Sequence, residues 1–404
     1  MIQTLLPFNA VAAVTAAARA AAMSFVAPGL AAQVTPAATP ARPHDDPGFA
    51  LGWDHASLGL TPPLDQLPVG SPLRQGWLAG QARFGGQPRP HSPWQRAWLA
   101  LRLQAWQAGE AVETVQLNAS VLRQIDTALC PVSRQPLRPL AAQHAAVHAA
   151  PSDADALPCR LNPAVAWATG NVALLQRAVA AAREGMDFDA LWSQAQRIAG
   201  GECTQVRGLD GATWQRLAVL ASFATPLAHA RAACLPLAVL PPARVRVLNP
   251  VQGLQVLLTL QFTHGGYARR LLELSALMPT HEARQAFQIF MHTLLARRLA
   301  AGPGAAPADV RRALEDSWAD PLVNRRWQRL ALRLTAADCE RLLLRASQRG
   351  LMAGGARWLA EASATEGWDL PETAQARSVD SKGNGACSAR PGNARRRGSQ
   401  KLAS

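Results

Sequence analysis

Lysine and tyrosine are almost missing from this sequence, and arginine supplies nearly all of the positive charge. Only Lys382 and Lys401 are lysines among 41 basic residues, and the 27 acidic residues leave a formal net charge of +14. An excess of this size favours polyanions as partners, with nucleic acid ahead of an anionic membrane surface. The same arginine and alanine bias is what a GC-rich bacterial genome encodes, so charge alone leaves both explanations open.

Several catalytic signatures are absent. The six cysteines lie far apart without a Cys-x-x-Cys pair, which excludes a standard zinc ribbon and indicates no disulfide framework. There is no glycine-rich phosphate loop with lysine, no His-Glu-x-x-His and no Gly-x-Ser-x-Gly. The sequence therefore does not indicate a P-loop nucleotidase, a zinc protease or an α/β hydrolase, and the dispersed thiols favour a reducing cytoplasm.

Long hydrophobic runs are also missing. The longest, over 251–262, is broken by three glutamines and a glycine and is too short to span a bilayer, so we expect no membrane partner. The alanine-rich stretch from Met1 to Gln33 has no basic residue at its start and is interrupted by Arg19, which argues against a signal peptide. We expect a cytoplasmic protein whose translation starts at Met1 or at Met23.

Composition and periodicity predict a mostly α-helical protein with one small α+β (ββα-like) module. The expected segments are a disordered Ala/Pro-rich arm (1–65), a Trp-rich helical segment (67–111), the module (112–185), a helical domain (186–372) and a disordered basic tail (373–404). Trp94, Trp98, Leu101 and Ala105 recur at helical spacing and predict a core-facing stripe.

Capping residues predict where individual helices begin. The expected starts are Ser71-Pro72, Ser92-Pro93, Thr280 and Thr335. Gly76 and Gly80, four residues apart, predict a face on which a neighbouring backbone approaches closely. In the helical domain the faces opposite the apolar positions carry arginines, which form either a polyanion-binding surface or an ordinary solvated face. These are Arg269, Arg270, Arg284, Arg297, Arg298, Arg311, Arg312, Arg325, Arg326 and Arg329.

One set of segments resembles a known family. Residues 130–137 read Cys-Pro-Val-Ser-Arg-Gln-Pro-Leu, 155–162 follow after a loop, and 167–175 read Trp-Ala-Thr-Gly-Asn-Val-Ala-Leu-Leu. In order and spacing these segments resemble the HNH endonuclease family. There a Cys-Pro turn opens a hairpin, an Asp-His or Asp-Arg pair follows, and an aromatic-x-x-Gly-Asn-aliphatic step leads into a helix bearing Asn and then Lys or His.

The resemblance implies a chemistry for which this chain lacks the residues. The family uses a histidine to deprotonate water and a hard cation held by Asp, Asn or His. Here the pair reads Cys159-Arg160, and the helix that would carry Asn and Lys, 177–183, holds alanines and arginines. Because Mg²⁺ prefers carboxylate and water oxygens, we expect no phosphodiesterase activity. If the groove persists, Arg160 and Arg183 are expected to contact phosphate, helped by Arg395, Arg396 and Arg397.

The same stretch holds a candidate structural zinc site. Cys130, His144, His148 and Cys159 lie within a short span, and His144 and His148 are spaced to project from one helix face. Two thiolates and two imidazoles would complete a closed tetrahedral site. The alternative is that the cysteines are small buried hydrophobes and that the protein has no cofactor.

A second, shorter resemblance keeps RNA open as a target. Residues 74–80, Arg-Gln-Gly-Trp-Leu-Ala-Gly, look similar to the ribosome modulation factor family. Three hypotheses therefore follow from the sequence. The first is a non-catalytic nucleic-acid-associated protein with a relic HNH-like module, with DNA favoured over RNA. The others are a helical scaffold or protein-interaction protein that binds no nucleic acid, and a residual metal-dependent nuclease.

Overall fold

The computed structural model describes residues 46–63, 65, 67–145, 150–302, 305–352 and 357–358. The predicted arm up to residue 45 and the predicted tail from residue 373 lie outside the described residues. So do four of the proposed site residues: His148, Arg395, Arg396 and Arg397.

Three helices open the described chain: α1 (Pro47–Ser57), α2 (Pro72–Phe84) and α3 (Pro93–Gln107). Each begins with a proline in its first turn, after a residue whose side chain accepts hydrogen bonds from backbone amides of that turn. These N-caps are Asp46, Ser71 and Ser92, the last in a reciprocal capping box with Gln95. The predicted starts of α2 and α3 are confirmed.

Helices α1 and α2 cross backbone to backbone. A Cβ atom placed on Gly76 would lie 2.0 Å from the carbonyl oxygen of Phe49, and one on Gly52 would lie 2.0 Å from the carbonyl oxygen of Leu73. On Gly80 it would lie 2.6 Å from the Ala56 methyl group. Only glycine permits such an approach, so the predicted close-contact face of Gly76 and Gly80 is confirmed.

The existence of α1 corrects the prediction that residues 1–65 form a disordered arm. Its glycines indicated a loop because glycine weakens an isolated helix by about 1 kcal/mol. Here Gly52 lies at the crossing with α2, while the side chains of Phe49 and Leu51 are buried. Tertiary packing therefore overrides local propensity, and the first described helix begins at Pro47, upstream of the predicted start near Leu67.

The predicted α+β module is confirmed. Short helices α4 (Ala119–Ile125) and α5 (Leu140–Ala145) precede β1 (Ala156–Arg160), β2 (Val172–Gln176) and α6 (Arg177–Arg183). The two strands pair antiparallel, with Ala156 opposite Gln176 and Arg160 opposite Val172. Helix α6 follows β2 directly, which completes a strand–strand–helix unit.

The rest of the described chain is helical, as predicted from Trp192 onward. Its helices are α7 (Phe188–Ala199), α8 (Gly211–Phe223), α9 (His229–Cys234), α10 (Pro250–Gln261), α11 (Tyr267–Leu277), α12 (His281–Ala300), α13 (Pro307–Asp316), α14 (Pro321–Ala331) and α15 (Ala336–Gln348), with a 3-10 turn at Ser317–Ala319. Strands β3 (Gln205–Val206) and β4 (Leu209–Asp210) pair antiparallel, and β5 (Arg246–Val247) pairs parallel with β6 (Arg357–Trp358). Thr280 and Thr335 cap α12 and α15, as predicted.

Tryptophans build much of the interior. Phe290, Trp318 and Trp327 form a triad with ring centroids 5.4–5.9 Å apart, and both indoles are buried. One continuous apolar core runs from Ala97 in α3, through the module, to Leu351. The predicted stripe on α3 contributes to it, with Trp94 and Trp98 half-buried against the core and the next two positions of the stripe fully buried. None of the described helices combines the length and apolar character needed to cross a lipid bilayer.

Candidate functional site

The Cys-Pro turn packs directly on the end of the hairpin. The Cys130 Sγ atom accepts hydrogen bonds from the amides of Ser133 and Gln176, each at 3.5 Å. The Ser133 hydroxyl donates to the Gln176 side-chain oxygen at 2.8 Å. The buried thiol of Cys130 therefore joins the turn to the last residue of β2, which is a packing role.

Asn171 holds the loop between the two strands. Its side-chain nitrogen donates to the carbonyl oxygens of Asn162, Val165 and Ala166 at 3.0–3.3 Å, and its oxygen accepts the Asn162 amide at 2.8 Å. Gly170 precedes it at φ +96°, a conformation that favours glycine. The Gly-Asn step identified in the sequence thus sets the shape of the loop with its own hydrogen bonds.

A neutral thiol lies where the HNH resemblance requires a carboxylate. Cys159 is half-buried in β1 opposite Ala173, and its thiol donates to the Leu157 carbonyl oxygen at 3.6 Å. Burial, partly opposed by Arg183 and reinforced by the nearby Cys130, raises the pKa of Cys159 to about 11. Since metals and electrophiles bind the thiolate, Cys159 is a poor ligand and nucleophile near neutral pH.

Arg183 is a buried cation without a carboxylate partner among the described residues. Its guanidinium donates to the Leu161 carbonyl oxygen at 2.8 Å, while its Nε atom is buried without a partner. Burial lowers the pKa of Arg183, with the neighbouring Cys159 raising it and Arg160 lowering it. The charge sits beneath the hairpin rather than on the surface, so a phosphate contact through Arg183 stays a prediction.

Arg160 is engaged inside the fold. Its guanidinium forms an ion pair with Glu110, donates to the Pro163 and Val165 carbonyl oxygens at 3.1 and 3.3 Å, and lies 5.5 Å from the Trp167 ring centroid. The Trp167 indole donates to the other Glu110 oxygen at 2.7 Å. Glu110, 50 residues from Arg160, carries no motif signal, and sequence reasoning missed it. Phosphate contact by Arg160 likewise stays a prediction.

Asp155 is a second residue that sequence reasoning missed, and it is the only acidic side chain classed as buried in the described part of the chain. Its carboxylate forms ion pairs with the guanidinium groups of Arg138, at an N···O distance of 2.5 Å, and Arg177, at 2.9 Å. It also accepts a hydrogen bond from the Ser152 amide at 3.0 Å. Burial alone would raise the pKa of Asp155, but these partners together hold it below its usual value. The carboxylate is therefore committed to ion pairs and is not available to a metal.

The structure describes three of the four proposed zinc ligands. Cys130 and Cys159 lie close enough to interact electrostatically. His144 lies on α5, where burial lowers its pKa and Arg96 lowers it further. Within the described ranges no group of three or more His, Cys, Asp or Glu side chains is arranged to hold a metal ion. His148 lies outside those ranges, so the four-residue site stays a prediction.

Most arginines predicted to form a polyanion surface make contacts within the protein. Arg269, Arg297 and Arg311 form ion pairs, and Arg270, Arg284, Arg298 and Arg326 donate hydrogen bonds to other side chains or carbonyl oxygens. The exceptions are Arg312 on α13 and a row on and just beyond α14, in which Arg333 donates to the Arg329 carbonyl oxygen at 2.6 Å. Arg325, Arg329 and Arg333 are exposed, lie four residues apart and form no ion pair with a described residue. We call these three residues the α14 arginine row.

Comparisons with protein-family models, with curated proteins and with solved structures found no match to this chain. The HNH resemblance therefore depends on the residues and the geometry given above.

Proposed function

We propose that this protein associates with nucleic acid without cutting it, through the α14 arginine row and on a scaffold that includes a relic HNH-like module. The proposal that the protein binds nucleic acid depends on the α14 arginine row. The observation that carries the non-catalytic half is the neutral thiol of Cys159 beside Arg183, in the place where the family's carboxylate would hold a cation.

The row has the geometry expected of a phosphate-binding surface. Residues four apart on a helix are separated by about 6 Å along its axis and project from one face. Arg325 and Arg329 form such a pair on α14, Arg333 follows just after the helix, and a bound anion would offset the repulsion between their charges. Asp320 interacts with Arg325 and Glu282 with Arg333, at the two ends of the row. Among the described residues, none forms an ion pair with Arg329 in the middle.

A salt titration tests the binding half. Wild-type protein and the triple variant Arg325→Gln/Arg329→Gln/Arg333→Gln are titrated into a fluorescent duplex between about 50 and 200 mM salt. The matched control, Arg83→Gln/Arg123→Gln/Arg197→Gln, removes the same charge from three exposed and separate sites. We expect the row variant to lower the log–log salt slope by about 2–3, and the control to lower it by less than about 1. Equal effects would mean that net charge alone binds the duplex.

A plasmid-nicking assay tests the non-catalytic half. Supercoiled DNA is incubated with the protein and Mg²⁺ or Mn²⁺, and we expect no cleavage above background because the described module offers no oxygen-ligand set for a hard cation. Nicking that EDTA abolishes would instead support the residual nuclease.

The placement of Arg160 and Arg183 favours a second candidate, a helical scaffold without nucleic-acid binding. Both guanidinium groups are engaged inside the fold, as are most of the helix-face arginines. For such a scaffold, the duplex in the same titration would bind no better than an uncharged polymer, and the row variant would behave as wild type.

A further inference from the structure

A cavity of about 310 Å³ lies between the Cys-Pro turn of the module and helix α13. Its walls are mostly apolar and come from three parts of the chain. They include Ile125, Leu129, Pro131, Val239 and Leu240. Its charged residues are Arg134, Arg311, Arg312 and Glu315. A concave apolar site of about 300–1,000 Å³ with a few convergent polar groups is the usual form of a small-molecule site.

Arg134 reaches the cavity from a strained backbone. Its φ is +61°, in the left-handed region that glycine adopts without strain, and a non-glycine residue there costs on the order of 1 kcal/mol or more. The side chain pairs with Glu315 at 3.4 Å and with Asp316 at 2.6 Å. Its Nε atom is buried and has no hydrogen-bond partner among the described residues. A strained arginine is thus fixed at the cavity wall with donor capacity unused.

Positive charge exceeds negative charge around the cavity. Arg134, Arg216, Arg311 and Arg312 lie on or near its walls, against the three carboxylates Asp210, Glu315 and Asp316. Glu315 is already committed, because it accepts the Leu240 amide at 3.1 Å and pairs with Arg134 and Arg311. Arg312 is exposed and makes no ion pair with a described residue.

Helix α13 adds to this excess. Its N-cap, Ala306, offers no side-chain hydrogen bond, and Ala308 in its first turn lines the cavity. A helix N-terminus carries a partial positive charge, so it favours an anion at this end of the cavity. The first turn of α13 holds one acidic residue, Asp309, and the residues of α13 that line the cavity after Ala308 are Arg311, Arg312 and Glu315.

We propose that this cavity binds a phosphate monoester attached to an apolar or aromatic body, with Arg312 and Arg134 on the phosphate and the apolar wall on the body. The body distinguishes the ligand from inorganic phosphate, and the charge distinguishes it from a neutral nucleoside. A free nucleotide and the 5′-phosphorylated end of a nucleic acid share this chemistry. The inference is independent of duplex binding by the α14 arginine row.

Calorimetry on the full chain tests the proposal with AMP, adenosine, inorganic phosphate and a short single strand with or without a 5′-phosphate. We expect AMP to bind more tightly than inorganic phosphate or adenosine by at least about tenfold. If the 5′-phosphate strengthens binding of the single strand by a similar factor, the cavity also accepts nucleic-acid ends. If only AMP binds, it accepts free nucleotides.

Arg312→Gln is the decisive variant, because Arg312 makes no described ion pair and its loss should leave thermal stability unchanged. We expect it to weaken AMP binding at least about tenfold, in line with the loss of one charge-assisted bidentate contact. The matched control is Arg345→Gln, an exposed arginine on α15 away from the cavity, which should bind AMP as wild type does. AMP affinity weaker than about 1 mM, or equal affinities for the two variants, would overturn the proposal.

Discussion

Two side chains define the chemistry of the hairpin at the residue scale. Cys159 carries no charge near neutral pH, and Arg183 keeps its charge in a buried position with one carbonyl partner. A buried cation without a counter-ion is costly, since the interior replaces little of its hydration. Together, Cys159 and Arg183 therefore carry one uncompensated positive charge, which a carboxylate at position 159 would neutralise.

A double-mutant cycle measures the interaction between Arg183 and a carboxylate at position 159. Cys159→Asp should be tolerated when Arg183 is present and should destabilise strongly in an Arg183→Met background, where the new carboxylate would be buried alone. We expect a coupling free energy of about 2 kcal/mol by urea denaturation.

The half-buried Cys203 provides the control for this cycle, because Cys203→Asp should show no coupling to Arg183→Met. A coupling energy near zero for Cys159→Asp would place the two side chains too far apart to interact.

Asp155 predicts a dependence of stability on pH. Its pKa in the folded protein lies below the 3.8 of an unperturbed aspartate, so its stabilising contribution is complete above that value and is lost as the pH falls through the lower folded pKa. Asp155→Asn should lower the free energy of unfolding by about 2 kcal/mol at pH 7, through lost charged hydrogen bonds. The gap between the wild type and the variant should close below about pH 4. Denaturant titrations at several pH values check this, and a gap that widens on acidification would contradict it.

Helix starts were predictable at the element scale because they are local. Ser92 with Gln95 and Thr335 with Asp338 form capping boxes whose partners lie three residues apart in the chain. Helix α1 was not predictable in this way, because its glycines gain their stability from α2, over 20 residues away. Local patterns therefore predicted the starts of α2, α3, α12 and α15 and missed α1, which depends on a crossing.

Gly76→Ala should disrupt this crossing. The added methyl group would overlap the Phe49 carbonyl oxygen, so the two helices would have to move apart and lose their close packing. We expect a loss of at least about 3 kcal/mol, comparable with severe overpacking, together with faster proteolysis near Pro47.

Gly265→Ala is the matched control, because a methyl group there meets no atom within 4 Å. Equal thermal midpoints for Gly76→Ala and wild type would show that the crossing is looser than described.

The apolar core connects the module to the helical segments at the scale of the whole molecule. Three of the polar contacts that cross the same boundary are the Asn162 side chain to the Ala224 carbonyl at 3.0 Å, the Arg246 amide to the Gly170 carbonyl at 3.0 Å, and the ion pair of Arg134 with Glu315. None was predictable from the sequence, since each joins residues more than 60 positions apart and no sequence motif links the two partners.

This shared core predicts cooperative unfolding. Far-UV circular dichroism, dominated by the helices, and fluorescence of the buried tryptophans should give the same denaturation midpoint. Asp155→Asn, inside the module, should shift both midpoints together. Two separated transitions would show that the module unfolds independently of the helices around the Phe290-Trp318-Trp327 triad.

The Asn171 amide has a practical consequence for protein engineering. It fixes the loop between the two strands through hydrogen bonds from a neutral side chain of the chain itself. The hairpin is therefore a preformed host into which coordinating groups can be introduced one at a time. In such a series the affinity of each variant for a cation would be measured separately from its free energy of unfolding.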